Sequence, residues 1–402
     1  MKQLVSKRYL LPFSLITLLF FIWGAARSVL DVLNKHFQQE LDMSREDSSM
    51  VQVMFYLGYF LMAMPAGLVI ERRGYRAGVV SGLSLFGFGA LLFWPGAQLM
   101  SFPFFLVSLF IIACGLVFLE TSANPYVTEL GDSDTSASRL NLAQSFNGMG
   151  SILGPVFGGM ILFTGGSQER IALPYVIMAA VAIVVAIVFT RVQLPEIKHE
   201  DSSQSNGTAR QKGGAVKRLF SNKVFVFGLA ALLFYEIAEI GVNSYFVNYV
   251  TDQGWMTPLQ ASTALSFGPL TLFMLARVAC SCYFMPKFGA VRVLKVCATG
   301  TLAMTFLVIA NLGHVSLVAL FLNYVFESIM FPTIFALSLG GLGNLTKRAS
   351  SFIMMTPIGG AIGTWLIFTT GGWLGTSAAF IIPLIGYVVV AAYAFSRKGV
   401  NG

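Results

Sequence analysis

Charged residues are scarce in this 402-residue chain, only 11% of the total, whereas about a quarter of a soluble domain is charged. That scarcity excludes an ordinary water-soluble globule. Intrinsic disorder needs few aromatic residues and much charge, and 36 Phe residues exclude it. Cysteine is nearly absent: Cys114, Cys280, Cys282 and Cys297 all lie in apolar runs, without the spacing of a disulfide framework or a metal site. Histidine is scarcer still, since His36, His199 and His314 are the only three and are expected in loops. There is no G-x-S-x-G, no H-E-x-x-H and no Walker A sequence G-x-x-x-x-G-K-[ST]. An enzyme, a resident metal or cofactor, and transport driven by ATP are therefore not expected.

Apolar residues fill the space, at 56% of the chain with a mean hydropathy of +0.74. The apolar segments fall at about 10–33, 50–70, 78–94, 104–128, 140–163, 172–190, 224–250, 261–284, 292–310, 315–340, 349–370 and 377–395. Each is near the roughly 20 residues that a helix needs to cross a bilayer, and none alternates as a transmembrane strand would. The expected fold is an all-α polytopic membrane protein of twelve transmembrane helices. The first segment is too long for a signal-peptide core and no small-residue cleavage site follows, so it is expected to span.

The net charge of +8 is spread over short loops, which suits membrane topology rather than a nucleic-acid partner. One set of alternate loops carries Lys2, Lys7, Arg8, Arg72, Arg73, Arg76, Arg139, seven residues between Arg191 and Lys223, Lys287, Arg292, Lys295, Lys347, Arg348, Arg397 and Lys398. The other set carries only Lys35, Arg45 and Arg170. Lys and Arg gather on the cytoplasmic side, so both termini are expected there, in a cell (inner) membrane.

A polar Ser/Gly/Lys-rich stretch at about 191–223 reads as a cytoplasmic linker, dividing the chain into a six-helix unit at 1–190 and another at 224–402. The halves echo each other. Glu120 precedes Pro125 by five residues, as Glu327 precedes Pro332; Arg139 stands 11 before Gly150 and 15 before Gly154, as Arg348 does before Gly359 and Gly363. Such a duplication suits a secondary transporter, with its site at the bilayer midplane between the repeats. Nothing requires a second subunit, so a monomer is expected.

Seven charges fall inside the segments: Arg27, Asp31, Glu120, Glu236, Glu239, Arg277 and Glu327. Each costs a few kcal/mol at least on insertion scales, so each needs a reason. Arg27 and Asp31, at i,i+4, could simply pair. Alternatively the carboxyls line a central cavity and exchange protons, with Asp31 and Glu120 as proton-coupling candidates. Glu236, Glu239 and Asn243 share one helical face; Glu120 and Asn124 share another; Asn141, Gln144 and Asn147 form a stripe. Such amides could instead tie neighbouring helices together. With no metal-ligand set among them, amides and carboxyls suit a neutral, hydroxyl-rich solute such as a sugar.

The stretch Gly67-Leu-Val-Ile-Glu71-Arg72-Arg73-Gly74-Tyr75-Arg76 resembles the G-x-x-x-D-R-x-G-R signature of the major facilitator superfamily, with Glu71 for the usual Asp. Its logic is a cytoplasmic gate that breaks when the halves rock. The stretches at 19–39, 55–78, 118–131, 139–159 and 331–352 resemble the fucose–galactose–glucose:proton symporter family within it. This resemblance implies proton-coupled sugar symport by alternating access. It places Asp31 and Glu120 at the positions of the coupling acids, Gln144 and Asn147 near the sugar cavity, and Glu239 as a sugar hydrogen-bond partner. Arg27-Ser28 stands where the family's fucose permeases have two asparagines, Asn243 replaces an aromatic residue, and Glu236 is an added acid. The sugar is therefore left open, with Asn124, Asn141, Glu236, Glu327 and Arg27 as further candidates to touch it. Sodium-linked uptake, proton-linked efflux, or sugar sensing without flux would use the same residues.

Overall fold

The computed structural model describes residues 4–40, 50–163, 172–191 and 212–397. Side chains at 29–40 lie outside the described set, Asp31 among them, as do Arg45, Arg170 and most of the linker. The helices are α1 Leu10–Glu40, α2 Met50–Leu91, α3 Phe93–Leu99, α4 Phe102–Glu129, α5 Ser136–Phe163, α6 Leu173–Arg191 and α7 Lys212–Ser221. They continue as α8 Lys223–Asp252, α9 Pro258–Phe267, α10 Pro269–Ala279, α11 Met285–Phe288, α12 Ala290–Ile309, α13 His314–Glu327, α14 Met330–Leu339, α15 Thr346–Ile353, α16 Ile358–Leu374 and α17 Ile381–Ser396. Among the described residues, ten helical stretches are long and apolar enough to cross a bilayer. One of them, Val53–Leu99, is two crossings joined at Gly74, and α5 adds another, which gives the twelve expected.

Where segments depart from simple helices, the cause is local. Gly74 turns the chain between the second and third crossings at φ 82, a left-handed conformation that suits glycine. Gly268-Pro269 divides the eighth crossing into α9 and α10, since proline has no N–H for the ladder. The tenth crossing breaks between Glu327 and Met330, just ahead of Pro332. Pro332 leaves the Ser328 carbonyl without its helical donor, and Arg277 Nε supplies one at 2.6 Å. In the same way Pro125 leaves the Thr121 carbonyl free, and Ser350 Oγ donates to it at 3.3 Å. Three expectations shift: α1 runs on to Glu40 because no breaker follows residue 33, so His36 falls within that helix, and His314 opens α13, neither lying in a loop as expected.

The outer surface is apolar, with Val184, Phe306 and Trp365 each at least 60% exposed, while Glu120, Arg139, Arg277 and Glu327 are buried. Such a molecule needs a hydrocarbon solvent. Inside, each half is built on one close helix contact. A Cβ on Gly150 would lie 2.2 Å from the Phe21 carbonyl oxygen and one on Gly154 2.6 Å from that of Ala25, so α5 lies directly on α1. Gly359 and Gly363 set α16 on α8 in the same manner, at 2.7 Å from the Leu233 oxygen and 2.1 Å from that of Ile237. The repeat read in the sequence is thus a repeat of backbone contact. Small residues at such seams replace the hydrophobic drive that lipid does not provide. Arg139, fully buried, closes the end of α4 by donating to the carbonyls of Val127, Thr128 and Asp132 at 3.1, 2.7 and 2.9 Å.

The contacts between the first six crossings and the last six gather toward the face that carries the linker. Arg348 forms a bidentate ion pair with Glu71, the shortest N···O distance being 2.6 Å. Lys347 lies over the Tyr75 ring at 4.8 Å, and Gly67 is bare against Ser351, whose Oγ a Cβ would meet at 1.6 Å. Deeper in, Asn141 Nδ2 donates to Thr333 Oγ1 at 3.0 Å and Arg277 Nη1 to the Gln144 carbonyl at 3.3 Å.

Two outcomes follow. Gly363→Val forces backbone apart and should destabilise by about 1–3 kcal/mol, read as a lower heat-unfolding midpoint, whereas Gly372→Val, with nothing within 4 Å, should leave the midpoint in place. Glu71→Gln removes a half-exposed pair worth about 1 kcal/mol, so a cysteine at Ser351 should gain roughly fivefold in maleimide reactivity.

Candidate functional site

The N-terminal wall is assembled by α1, α2, α4 and α5. Because the backbones of Gly24 and Asn147 touch, Arg27 sits one turn beyond a fixed point of the α1–α5 seam. It is exposed, and it acts electrostatically on Tyr56, Tyr59 and Glu120 of its own half and on Glu236 of the other. Glu120 is 7% exposed, and Tyr59 Oη donates to its Oε1 at 2.5 Å. This charge-assisted bond fixes the carboxyl toward α2. Asp31 follows Arg27 by one helical turn on α1, with its side chain outside the described residues.

The polar stripe of α5 and its neighbour on α4 form the floor. Gln144 Nε2 donates to Asn124 Oδ1 at 3.1 Å, and Asn124 Nδ2 reaches Met354 Sδ at 3.7 Å across the halves. Asn141 bonds Thr333, and Asn147 Nδ2 donates to the Phe20 carbonyl at 3.3 Å, stitching α5 to α1. These amides are thus engaged with protein in this state: Asn124 and Asn141 are fully buried, and Asn147 ties helices together.

The C-terminal wall rests on α8, α10, α13 and α17. Glu236 is 7% exposed, and Glu239 is half-buried, accepting from Asn243 Nδ2 at 3.0 Å. The Asn243 side-chain carbonyl oxygen is buried without a partner among the described residues. Glu327 closes α13 and is sealed: its Oε2 accepts from Tyr387 Oη and from Asn323 Nδ2, the latter at 3.1 Å, while its Oε1 has no partner among the described residues. Arg277 lies over the Phe273 ring at 4.4 Å and acts electrostatically on Tyr235, Glu239 and Glu327. Unlike Glu236 and Glu239, Glu327 belongs to the interior of its half.

Four described carboxyls, Glu120, Glu236, Glu239 and Glu327, therefore surround two guanidiniums, Arg27 and Arg277. None of the four has a described cation within 4.0 Å. An ionised carboxylate buried without a partner is costly, so the excess acid must be met by protons or another cation. Among the described residues no three His, Cys, Asp or Glu side chains are grouped to hold a metal ion.

The gate signature divides its work. Glu71 crosses to Arg348, Gly67 seats Ser351 and Gly74 makes the turn, but Arg76 turns back within its own half, donating to the carbonyls of Phe189 at 2.9 Å and of Thr190 at the end of α6. Arg72 is exposed. Residues not singled out in the sequence complete the site. Tyr59, Asn323 and Tyr387 look like ordinary helix-facing polar residues there, and the counter-charge role of Arg348 is signalled only by its repeat of Arg139.

Residues 16–356 match the model of the Major Facilitator Superfamily. The chain is 33% identical to the L-fucose-proton symporter of Escherichia coli (strain K12), an alignment covering 98% of this chain and 94% of that protein. It is 30% identical to a glucose/galactose transporter of Brucella abortus biovar 1 (strain 9-941), over 96% and 94% of the two chains. Its fold superposes on a crystal structure of the transporter FucP in the outward conformation with a TM-score of 0.87 at 33% identity, covering 98% of this chain and all of that one. Motif, repeat, fold and full-length similarity thus agree: the chain belongs to the major facilitator superfamily, in the same family as these sugar transporters.

Proposed function

We propose that this protein is a proton-coupled sugar symporter that imports a hexose or deoxy-sugar by alternating access. The observation that carries the reading is Glu120, a carboxyl 7% exposed, held by Tyr59 and under the electrostatic influence of Arg27, which also reaches Glu236 of the other half. Arg27 is a counter-charge for the ionised form, and a proton makes the group neutral without it. One side chain thus has two states of different charge next to the solute's path, which coupling requires. Support comes from the relatives, whose names specify fucose–proton symport and glucose/galactose transport.

In this reading the units are 1–190 and 224–402, joined by the linker 191–223, working as a monomer in the inner membrane with both termini cytoplasmic. The Glu71–Arg348 contact then closes the cytoplasmic side, and the structure stands open outward, the state given for the FucP structure it resembles. Sugar enters between α1 and α8. Glu236, Glu239 and Asn243 accept and donate hydrogen bonds to its hydroxyls, with Tyr56 and Tyr59 beside Arg27 offering ring faces. Asp31 and Glu120 take protons from outside. Sugar and proton bound together reduce the net charge that must cross, the halves rock, and Asn124, Asn141, Gln144 and Asn147 become free to face the solute as the floor opens. The drive suffices: one charge through about 100 mV gives about 2.3 kcal/mol, and one pH unit adds about 1.4. Together these support accumulation of roughly several-hundred-fold.

The test is external alkalinisation of de-energised cells on adding each member of a sugar panel that includes L-fucose, D-glucose and D-galactose. One or more sugars should raise the pH, and Glu120→Gln should abolish the rise while leaving exchange of preloaded sugar. Tyr59→Phe removes a single hydrogen bond to a charged group, worth about 1.5–3 kcal/mol, and should weaken uptake without abolishing it. Absence of a pH rise with every sugar, in protein shown to be folded, would overturn proton coupling.

A further inference from the structure

Glu327 is a buried acid that the sugar pathway does not use. It lies fully buried at the end of α13, and the groups that hold it are all neutral. Thr305 Oγ1 on α12 donates to Asn323 Oδ1 at 3.2 Å, which fixes the orientation of that amide. Asn323 Nδ2 donates to Tyr387 Oη and to Glu327 Oε2, each at 3.1 Å. Tyr387 Oη on α17, already accepting from Asn323, gives its own proton to the same Oε2. Thr305, Asn323 and Tyr387 are at most 2% exposed. Three helices thus give Oε2 two neutral donors and give Oε1 none, since Oε1 is buried without a partner among the described residues. Tyr324, one turn earlier on α13, has a buried hydroxyl that is also without a described partner, and it does not turn to Oε1.

No described cation answers the carboxyl either. Arg277 comes close enough for its Nε to reach the carbonyl of the next residue, Ser328, at 2.6 Å, yet its Nη1 goes to the Gln144 carbonyl and no guanidinium nitrogen lies within 4.0 Å of Glu327. The charges acting on Glu327 from the packed helices are Glu239 on α8 and Arg277 on α10, one of each sign. Ionised, Glu327 would hold a bare oxygen in a dry interior with no counter-charge beside it, the costly arrangement for a buried acid. Protonated, it is an uncharged group whose Oε2 takes both donors and whose proton sits on Oε1. We infer that Glu327 is a neutral carboxylic acid, protonated on Oε1, that keeps its proton while the halves rock. It fastens α12, α13 and α17 together without a charge, and the last six crossings move without taking up or releasing a proton there. Glu120 and Glu327 stand equally far ahead of Pro125 and Pro332. If Glu120 exchanges protons, as the reading above has it, the repeat has kept one acid for exchange and the other for packing.

The test is infrared spectroscopy of the purified protein in lipid nanodiscs, which needs neither sugar nor gradient. A protonated carboxyl has a C=O stretch that an ionised one lacks. The wild-type spectrum minus that of Glu327→Gln should show this band at every pH from about 6 to about 9, where an ordinary glutamate is ionised. The band should also persist in the Glu71→Gln background, in which the linker-face pair is released. Tyr387→Phe keeps the acid and removes one donor, so it should move the band to higher frequency across the same range, and it carries the test if Glu327→Gln does not fold. In cells, Glu327→Gln should leave the sugar-dependent pH rise in place. A band that titrates within the range, or no band in either difference spectrum, overturns the assignment, as does loss of the pH rise in folded Glu327→Gln protein. If no sugar moves the pH even in the wild type, proton coupling fails and the spectra still decide Glu327.

Discussion

A charge in hydrocarbon must be answered from within the protein, because water is not there to answer it. Much of this molecule follows from that constraint. Arg139 spends its donors on the last carbonyls of α4, Arg277 on a carbonyl released by Pro332, and Tyr59 on the carboxyl of Glu120. Among the described residues some groups are not fully answered: the side-chain oxygens of Thr17, Thr121 and Asn141 in the first half, and Glu236, the Asn243 side-chain carbonyl and one oxygen of Glu327 in the second.

The construction repeats between the halves. The same interval that sets Gly150 and Gly154 after Arg139 sets Gly359 and Gly363 after Arg348, and both glycine pairs lie on helix backbone. The prolines correspond too, each freeing a carbonyl one turn earlier that a side chain then claims. The claims differ: Ser350 reaches Thr121 across the halves, whereas Arg277 reaches Ser328 within its own. The arginines have diverged most, with Arg139 folded inward as a structural cap and Arg348 turned across to Glu71. Corresponding positions thus hold a fastening within one half and an ion pair across the halves.

Helix number, the polar face of α8 and the repeated glycine spacing were legible in the sequence because they depend on composition and period. Glu71 was legible through its motif, but its partner was not, since nothing local to Arg348 says which way a long side chain will turn. Glu327 shows the same limit. Its spacing to Pro332 repeats that of Glu120 to Pro125, and from the chain alone the two look equivalent. Packing decides otherwise: Tyr387, 60 residues away, and Asn323 enclose Glu327, while Glu120 keeps a single tyrosine and a view of Arg27. Partners drawn from distant helices are what one-dimensional spacing cannot reveal.

Arg76 is the quiet member of the gate signature, and its attachment to the end of α6 has a mechanical consequence. By fastening the turn after α2 to its own half, it makes Glu71 part of a stiff lever instead of the tip of a loose loop. A stiff lever cannot peel away from its counterpart one contact at a time. The Glu71–Arg348 pair, the Lys347–Tyr75 contact and the Gly67–Ser351 seat must therefore be lost together, and intermediate openings gain nothing. The seam is built as a snap fastener, held by three contacts on one rigid element.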